Sequence, residues 1–202
     1  DMVLTDELID RLGAAFNAGG PLLLYGAPGS GKTFLAEHLA ALLRQGVFVP
    51  HAIDVDGQVI RVYDERTHRV VDPGDEAHAA YDAVKARVDS RWVFVHRPFV
   101  VVGGELSLAM LDLSYQETFK TYDAPFQLKA NCGILLVDDL GRQLVRPEHL
   151  LNRWIYPLEK RIDQLTLVTG RKIQVPFEQL LIFSTNLTPR ELADEAFWRR
   201  IR

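Results

Sequence analysis

Cysteine is nearly absent from this sequence of 202 residues, in which Cys132 is the single example. One thiol cannot form an internal disulfide, and Cys132 lies beside an apolar run, so we expect a buried, unreactive thiol. No apolar run approaches the length that spans a bilayer, and the N-terminus lacks the basic, apolar and small-residue regions of a signal peptide. These absences predict a cytoplasmic protein without a membrane span.

An excess of positive charge is also lacking. The 23 Lys and Arg residues stand against 27 Asp and Glu residues, giving a net charge of −4, which argues against a dedicated basic surface for nucleic acid. The six histidines show no metal-ligand spacing. With 48% hydrophobic and 25% charged residues, the composition predicts one globular domain over residues 1–202.

The most informative segment is a glycine-rich loop between an apolar strand at residues 22–25 and a periodic apolar stretch typical of a helix. Its spacing is GxxxxGK(S/T), in which glycines let consecutive N–H groups and the helix N-terminus point at phosphate oxygens. Lys32 would reach the outer phosphates, and Thr33 would offer its hydroxyl to Mg²⁺. A simple strand-to-helix turn would not require Lys-Thr after the last glycine. The predicted phosphate-binding residues are Gly26, Ala27, Pro28, Gly29, Ser30, Gly31, Lys32 and Thr33.

Two carboxylates follow a second apolar run. Residues 134–137 predict a buried parallel strand, and Asp138 and Asp139 come directly after it. Asp138 would hold Mg²⁺ through its water shell, and Asp139 could orient or polarise an attacking water. The alternative is a solvated strand end, at which adjacent carboxylates would repel each other.

Further candidates lie toward the C-terminus. Asn186 ends the strand LLIFSTN, and because the carboxyl ends of parallel strands share one edge, its amide could position water near the γ-phosphate. The alternative is an Asx turn. Arg199 and Arg200 lie at the far end of the last helix, which suggests a finger presented to a neighbouring subunit's ATP. The alternative is a pair of cations that complement the helix dipole.

The other segments predict an α/β arrangement with inserted hairpins. Residues 47–53 and 58–63 would form a hairpin around Asp56-Gly57, and residues 164–168 and 172–177 a second one around Thr169-Gly170-Arg171. We predict helices at residues 4–18, 75–89 and 147–162, strands of the sheet or its edge at 91–95 and 99–102, a short helix near 106–113, and a loop or hairpin at 115–128. The first helix after the glycine-rich loop should end at Gly46.

In this order the motifs resemble an AAA+ ATPase module: Walker A (GAPGSGKT), Walker B (ILLVDD), sensor 1 (FSTN) and arginine finger (FWRRIR). The hairpin at about 164–177 and the insert at about 103–128 resemble the MoxR-like branch with its pre-sensor 1 hairpin. A further insertion covers about 47–102. The resemblance implies a three-layer P-loop NTPase with strand order 5-1-4-3-2 and a ring, usually hexameric, with ATP between subunits. It also implies chaperone-type remodelling or maturation of an unidentified protein client.

Two departures from the family matter. Walker B usually ends Asp-Glu, whereas Asp139 is one methylene shorter, so we expect slow hydrolysis. The helical lid with its sensor 2 arginine should follow the finger, whereas the sequence ends at Arg202, so we expect either a truncated chain or a lid that lies outside this sequence. Two alternative functions stay open: a nucleic-acid motor or loader in which Gly170-Arg171-Lys172 touches DNA, and a nucleotide-gated switch that hydrolyses little.

Overall fold

The structure is a computed structural model that describes residues 19–72 and 88–193, with residues 10, 12–14, 81–82 and 198. Most of the helices predicted at 4–18 and 75–89 therefore lies outside the described residues, as do Arg199 and Arg200. Within the described part, no helix is both long and apolar enough to cross a membrane.

The described part of the chain contains twelve strands, four α-helices and one 3₁₀ turn. The strands are β1 (Leu22–Tyr25), β2 (Gly46–Pro50), β3 (Ala52–Val55), β4 (Gln58–Arg61), β5 (Trp92–His96), β6 (Phe99–Val102), β7 (Ser114–Gln116), β8 (Thr121–Asp123), β9 (Ile134–Val137), β10 (Ile162–Thr166), β11 (Lys172–Pro176) and β12 (Leu180–Thr185). The helices are α1 (Lys32–Ala41), α2 (Phe126–Lys129), α3 (Pro147–Lys160) and α4 (Pro189–Leu192), with a 3₁₀ turn at Leu108–Leu111.

The central sheet is parallel, in the order β1-β12-β9-β6. If these four strands are numbered 1 to 4 in chain order, the sheet order is 1-4-3-2, as in the predicted order 5-1-4-3-2 without its fifth strand. No fifth strand of this sheet occurs in the described part of the chain. The carboxyl ends of β1, β9 and β12 therefore lie at one edge, directly before the glycine-rich loop, Asp138 and Asn186. This arrangement confirms the predicted α/β fold class.

Alternating side chains of the central strands pack on opposite faces, as the pleat of a strand requires. Leu135 and Val137 of β9 belong to a buried cluster with Trp154 of α3, whose ring centroid lies 5.6 Å from that of Phe183. Ile134 and Leu136 belong instead to a cluster that includes Ala36 and Leu39 of α1. The sheet is thus covered by a helix on each face, which is the three-layer arrangement predicted.

The boundaries of α1 and α3 reflect local backbone chemistry. Helix α1 ends at Ala41, and not at Gly46 as predicted, because the chain already turns toward β2, in which Gly46 is the first residue. Helix α3 contains Pro157 and continues to Lys160, where Arg161 ends it with a left-handed φ of 55°. A residue in this conformation is a common helix terminator.

The predicted insertion at 47–102 has wrong boundaries. Its last strand, β6, is hydrogen-bonded to β9 in the central sheet, so the insertion ends before Phe99. The predicted hairpin is shorter as well. The run 47–53 is divided, because β2 pairs with β5, while only β3 pairs with β4 across Asp56-Gly57. The strand predicted at 91–95 accordingly lies in this separate pair and not in the central sheet.

The inserted segments pack together around a second core. Buried side chains of β4, β5, β8, β10 and β11 meet there, including Ile60, Val95, Tyr122, Leu165 and Val175. The backbone N–H of Val168 donates to the Tyr122 hydroxyl at 3.1 Å, and Arg171 forms an ion pair with Asp56. The insertion, the segment near 103–128 and the β10–β11 hairpin therefore make one continuous β-rich body beside the central sheet.

The prediction for Cys132 is wrong. Cys132 is exposed and has a φ of 63°, in the turn that leads into β9. The next residue, Gly133, is buried so tightly that a Cβ atom there would lie 2.0 Å from the carbonyl oxygen of Pro98. Burial therefore begins at Gly133, and the apolar strand β9 does not bury the turn that precedes it.

Candidate functional site

The loop between β1 and α1 has a backbone that favours glycine. Gly29 and Gly31 adopt φ values of 76° and 84°, in the left-handed region that other residues rarely occupy. Helix α1 starts directly after Gly31 and has no side-chain cap. The first turn of any helix leaves N–H groups without intrahelical acceptors, and the helix dipole adds partial positive charge there. This end of α1 is therefore suited to bind an anion.

Lys32 connects this loop with the end of β12. Its Nζ atom donates to the carbonyl oxygens of Gly26 and Ala27, each at 3.0 Å, and to Oδ1 of Asn186 at 2.9 Å. Lys32 and Asn186 are 154 residues apart in sequence, and the parallel register of β1 and β12 brings them together. The cation and the amide thus lie at the same end of the loop.

Thr33 and Asp138 form a second contact across the site. The Thr33 hydroxyl donates to Oδ2 of Asp138 at 3.0 Å, and Oδ1 of Asp138 accepts from the N–H of Asp139 at 3.0 Å. Hydroxyl and carboxylate oxygens are hard ligands of the kind that Mg²⁺ prefers, together with phosphate oxygens and water. The donor set formed by Thr33 and Asp138 therefore fits Mg²⁺.

These side chains line one open cavity of about 470 Å³, a volume typical of small-molecule sites. Three of its residues were not among the predicted ones: Phe34, Arg142 and Ser184. Arg142 could have been suspected, since it follows the two carboxylates within the same turn. The cavity is lined by Pro28, Gly29, Gly31, Lys32, Thr33, Phe34, Asp138, Asp139, Arg142, Ser184 and Asn186.

Asp139 lies on the wall of this cavity and is exposed, with a left-handed φ of 50°. Among residues other than glycine, Asp and Asn tolerate this conformation best, because their short polar side chains relieve it locally. The backbone thus gives a physical reason for a carboxylate that is one methylene shorter than the glutamate expected by resemblance.

The C-terminal part of the site is described only in part. Helix α4 begins with a capping box between Thr188 and Glu191, and the hydrogen bonds from Thr188 hold the pKa of the Glu191 carboxyl below its usual range. The indole N–H of Trp198 donates to the carbonyl of Pro189 at 3.0 Å. Because Arg199 and Arg200 lie outside the described residues, their role as a finger stays a prediction.

Comparison with known proteins agrees with this geometry. Residues 21–55 match the family model of the AAA domain (dynein-related subfamily). The chain superposes on NtrX from Brucella abortus with 14% identity and a TM-score of 0.53, and the match covers 99% of this chain and 35% of NtrX. The chain therefore has the three-layer α/β fold predicted for a P-loop NTPase. NtrX in complex with ADP gives 16% identity, a TM-score of 0.51, and coverage of 100% and 35%.

A second structural neighbour is a chain from the complex between subunits BchI and BchD of magnesium chelatase. It shares 20% identity and a TM-score of 0.54, covering 96% of this chain and 55% of that one. This chain therefore spans about a third to about half of the length of these neighbours. No curated protein sequence matches it. The MoxR-like branch is not identified by these matches and stays a prediction.

Proposed function

We propose that the chain is the ATP-binding and ATP-hydrolysing module of an AAA+ ring that remodels or matures a protein client. The observation that supports this most is the convergence of Lys32, Thr33, Asp138 and Asn186 on one cavity, through contacts that join residues 105 and 154 positions apart. A glycine-rich turn without this function would not need a carboxylate and an amide from two other strands at its mouth.

Each residue has a defined part in phosphoryl transfer. Lys32 would exchange its carbonyl contacts for the outer phosphates, and the N–H groups at the start of α1 would bind the same oxygens. Thr33 and Asp138 would hold Mg²⁺, which neutralises phosphate charge when bound. Asp139 would accept a hydrogen bond from the attacking water, and the Asn186 amide would orient that water without adding charge.

The transition state needs further positive charge, which we assign to Arg199 or Arg200 of a neighbouring subunit. One structural neighbour is a chain from the complex between subunits BchI and BchD of magnesium chelatase, which is consistent with assembly. In a mixture, subunits carrying Arg199→Ala or Arg200→Ala should regain turnover from subunits carrying Lys32→Ala. Absence of rescue at every mixing ratio would count against a finger acting between subunits.

A protein client is favoured over nucleic acid by the surface of the inserted body. Arg171, the cation proposed to touch DNA in the alternative function, is paired with Asp56. The turn between β7 and β8 instead presents Phe119, which is 70% exposed, and the turn between β10 and β11 presents Val168, which is 63% exposed. Aromatic side chains such as Phe119 are enriched in protein–protein contacts.

The function is tested by ATP turnover of the full-length protein, with Asp139→Asn as the diagnostic variant. We expect turnover in the wild type and a loss of about 100-fold or more in the variant, with nucleotide binding retained, because the amide cannot act as the base. Binding without wild-type turnover would favour the nucleotide-gated switch. Stimulation of turnover by DNA that disappears in Arg171→Ala/Lys172→Ala would favour the nucleic-acid motor.

A further inference from the structure

The loop that carries the two carboxylates, residues 138–143, is held on one side by the buried amide of Gln143. Its Nε2 atom donates to the carbonyl oxygens of Asp138 at 3.0 Å and Asp139 at 3.2 Å, and to that of Gly103 at 3.3 Å. Its Oε1 atom accepts from the N–H of Gly141 at 2.8 Å. One side chain therefore closes the loop on itself and joins it to the residue that follows β6.

On its other side the loop is joined to β12 by Thr185, which is fully buried. The Thr185 hydroxyl donates to the carbonyl of Leu140 at 2.6 Å and accepts from the N–H of Leu187 at 3.1 Å. Leu140 directly follows Asp139, and Leu187 directly follows Asn186. A single hydroxyl thus bridges the two loops that present the candidate carboxylate and the candidate amide.

This bridge depends on the chemistry of a hydroxyl, which can donate and accept at the same time. The loop also contains one residue other than glycine with a left-handed φ, Asp139 at 50°. Backbone in sparsely populated conformations persists only where its surroundings over-determine it. Neither Thr185 nor Gln143 is among the residues that line the cavity, so both act on the site only through the loops they hold.

We propose that Thr185 and Gln143 are positioning residues that fix the Asp139 carboxylate relative to the Asn186 amide, and thereby set the rate of hydrolysis and not the affinity for nucleotide. This inference rests on the proposed function, since it assigns both groups to the attacking water. The contacts of Lys32 with the Gly26 and Ala27 carbonyls, and the N–H groups at the start of α1, involve neither side chain, so nucleotide binding should survive their loss.

The decisive variants are Thr185→Val, which removes the hydroxyl at similar volume, and Thr185→Ser, which keeps it. Thr121→Val is the matched control, because the Thr121 hydroxyl is buried and has no hydrogen-bond partner among the described residues. Thr185→Val should lower kcat by about 10- to 100-fold, the scale of a misplacement of about 1 Å. Its dissociation constant for ATP should change by less than about threefold, as expected when only the transition state is affected. Thr185→Ser and Thr121→Val should stay near wild type.

The same comparison applies to Gln143→Met, with the exposed Gln174→Met as its control. Amide hydrogen exchange gives a readout that does not depend on turnover. Exchange should become faster at Leu187 in Thr185→Val and at Gly141 in Gln143→Met, with global stability measured in parallel. Faster exchange confined to these amides supports the positioning of the loop by the two side chains even if the wild type proves not to hydrolyse ATP. Absence of hydrolysis would contradict the proposed function and, with it, the effect on kcat, but not the positioning.

Three results would overturn the proposal. The first is unchanged turnover in a folded Thr185→Val protein. The second is an equal loss of turnover in Thr185→Ser, which would assign the effect to packing. The third is unchanged exchange at both amides, which would show that the two side chains do not hold the loop in solution.

Discussion

Replacement of Arg153 by methionine should destabilise the protein more than the loss of any exposed ion pair. Arg153 lies on α3 and binds the fully buried Asp163 of β10 through two contacts, Nη1 to Oδ1 at 2.6 Å and Nη2 to Oδ2 at 3.0 Å. Asp163 also accepts from Nε2 of Gln127 at 2.9 Å and from the N–H of Gln164 at 2.7 Å. The pair joins the helix that covers the central sheet to the inserted body.

The size of the effect follows from what remains after the substitution. Methionine fills much of the space of the arginine stem but leaves the Asp163 carboxylate buried without its cation, which costs about 3–5 kcal/mol. The donors on Gln127 and Gln164 persist, so we expect the lower end, about 3 kcal/mol. For a chain of this length, that lowers the midpoint of thermal unfolding by about 6–12 °C.

The assay is urea and thermal unfolding of the wild type, Arg153→Met and a matched control, Arg171→Met. The control removes the same side chain from the pair with Asp56, whose members are 60% and 59% exposed, and should cost less than about 1 kcal/mol. Replacing both partners, as Arg153→Met with Asp163→Leu, should recover part of the loss. The reasoning fails if Arg153→Met costs no more than Arg171→Met.

Two further predictions follow from other buried contacts. His68 accepts from the N–H of Asp64 at 3.0 Å and contacts the carbonyl of Lys129 at 2.9 Å, and burial lowers the pKa of its imidazole, so the fold favours the neutral ring. The contribution of the neutral His68 ring to stability should therefore be complete above the ordinary histidine pKa of about 6.5 and fall as pH decreases below it. The free energy of unfolding, measured at pH 7.5 and 5.5, should differ less between the two pH values in His68→Gln than in the wild type. Equal differences in the two proteins would contradict this prediction. Gly133→Ala should prevent stable folding, because the added Cβ would lie 2.0 Å from the carbonyl oxygen of Pro98, which accepts a hydrogen bond from the N–H of Ile134. The control is Gly57→Ala, whose Cβ meets no atom within 4 Å. This control should fold with only the strain of a φ of 77°. Similar yields and unfolding midpoints for the two variants would refute the comparison.

The parts of the site that could be predicted from sequence are those in which a local pattern carries the geometry. Gly29 and Gly31 are needed for left-handed turns, and the lysine and hydroxyl that follow them begin a helix. Parallel pairing then places Asp138 and Asn186 at the same edge, because any two strands of a parallel sheet end together. The placement of Asp138 and Asn186 at one edge of the sheet could therefore be predicted without knowing which distant side chains are in contact.

The errors arose where the partner of a segment is distant in sequence. Residues 46–50 and 52–55 are both β-prone, and nothing local shows that the first pairs with β5 while the second pairs with β4. The membership of β6 in the central sheet likewise depends on its contact with β9. The bridge made by Thr185 was not predictable, since a hydroxyl in a buried strand has no local signature of its two partners.

The central claim is that the loop between β1 and α1 binds the phosphates of ATP with Lys32 as its cation. The most direct test is calorimetric titration of Mg²⁺ and ATP into the full-length wild-type protein and into Lys32→Ala, with equal folding verified by circular dichroism. Charge-assisted hydrogen bonds of this kind correspond to about a 10- to 100-fold change in affinity. We predict saturable binding to the wild type and a loss of at least about tenfold in the variant. Equal binding by the two proteins would contradict the account.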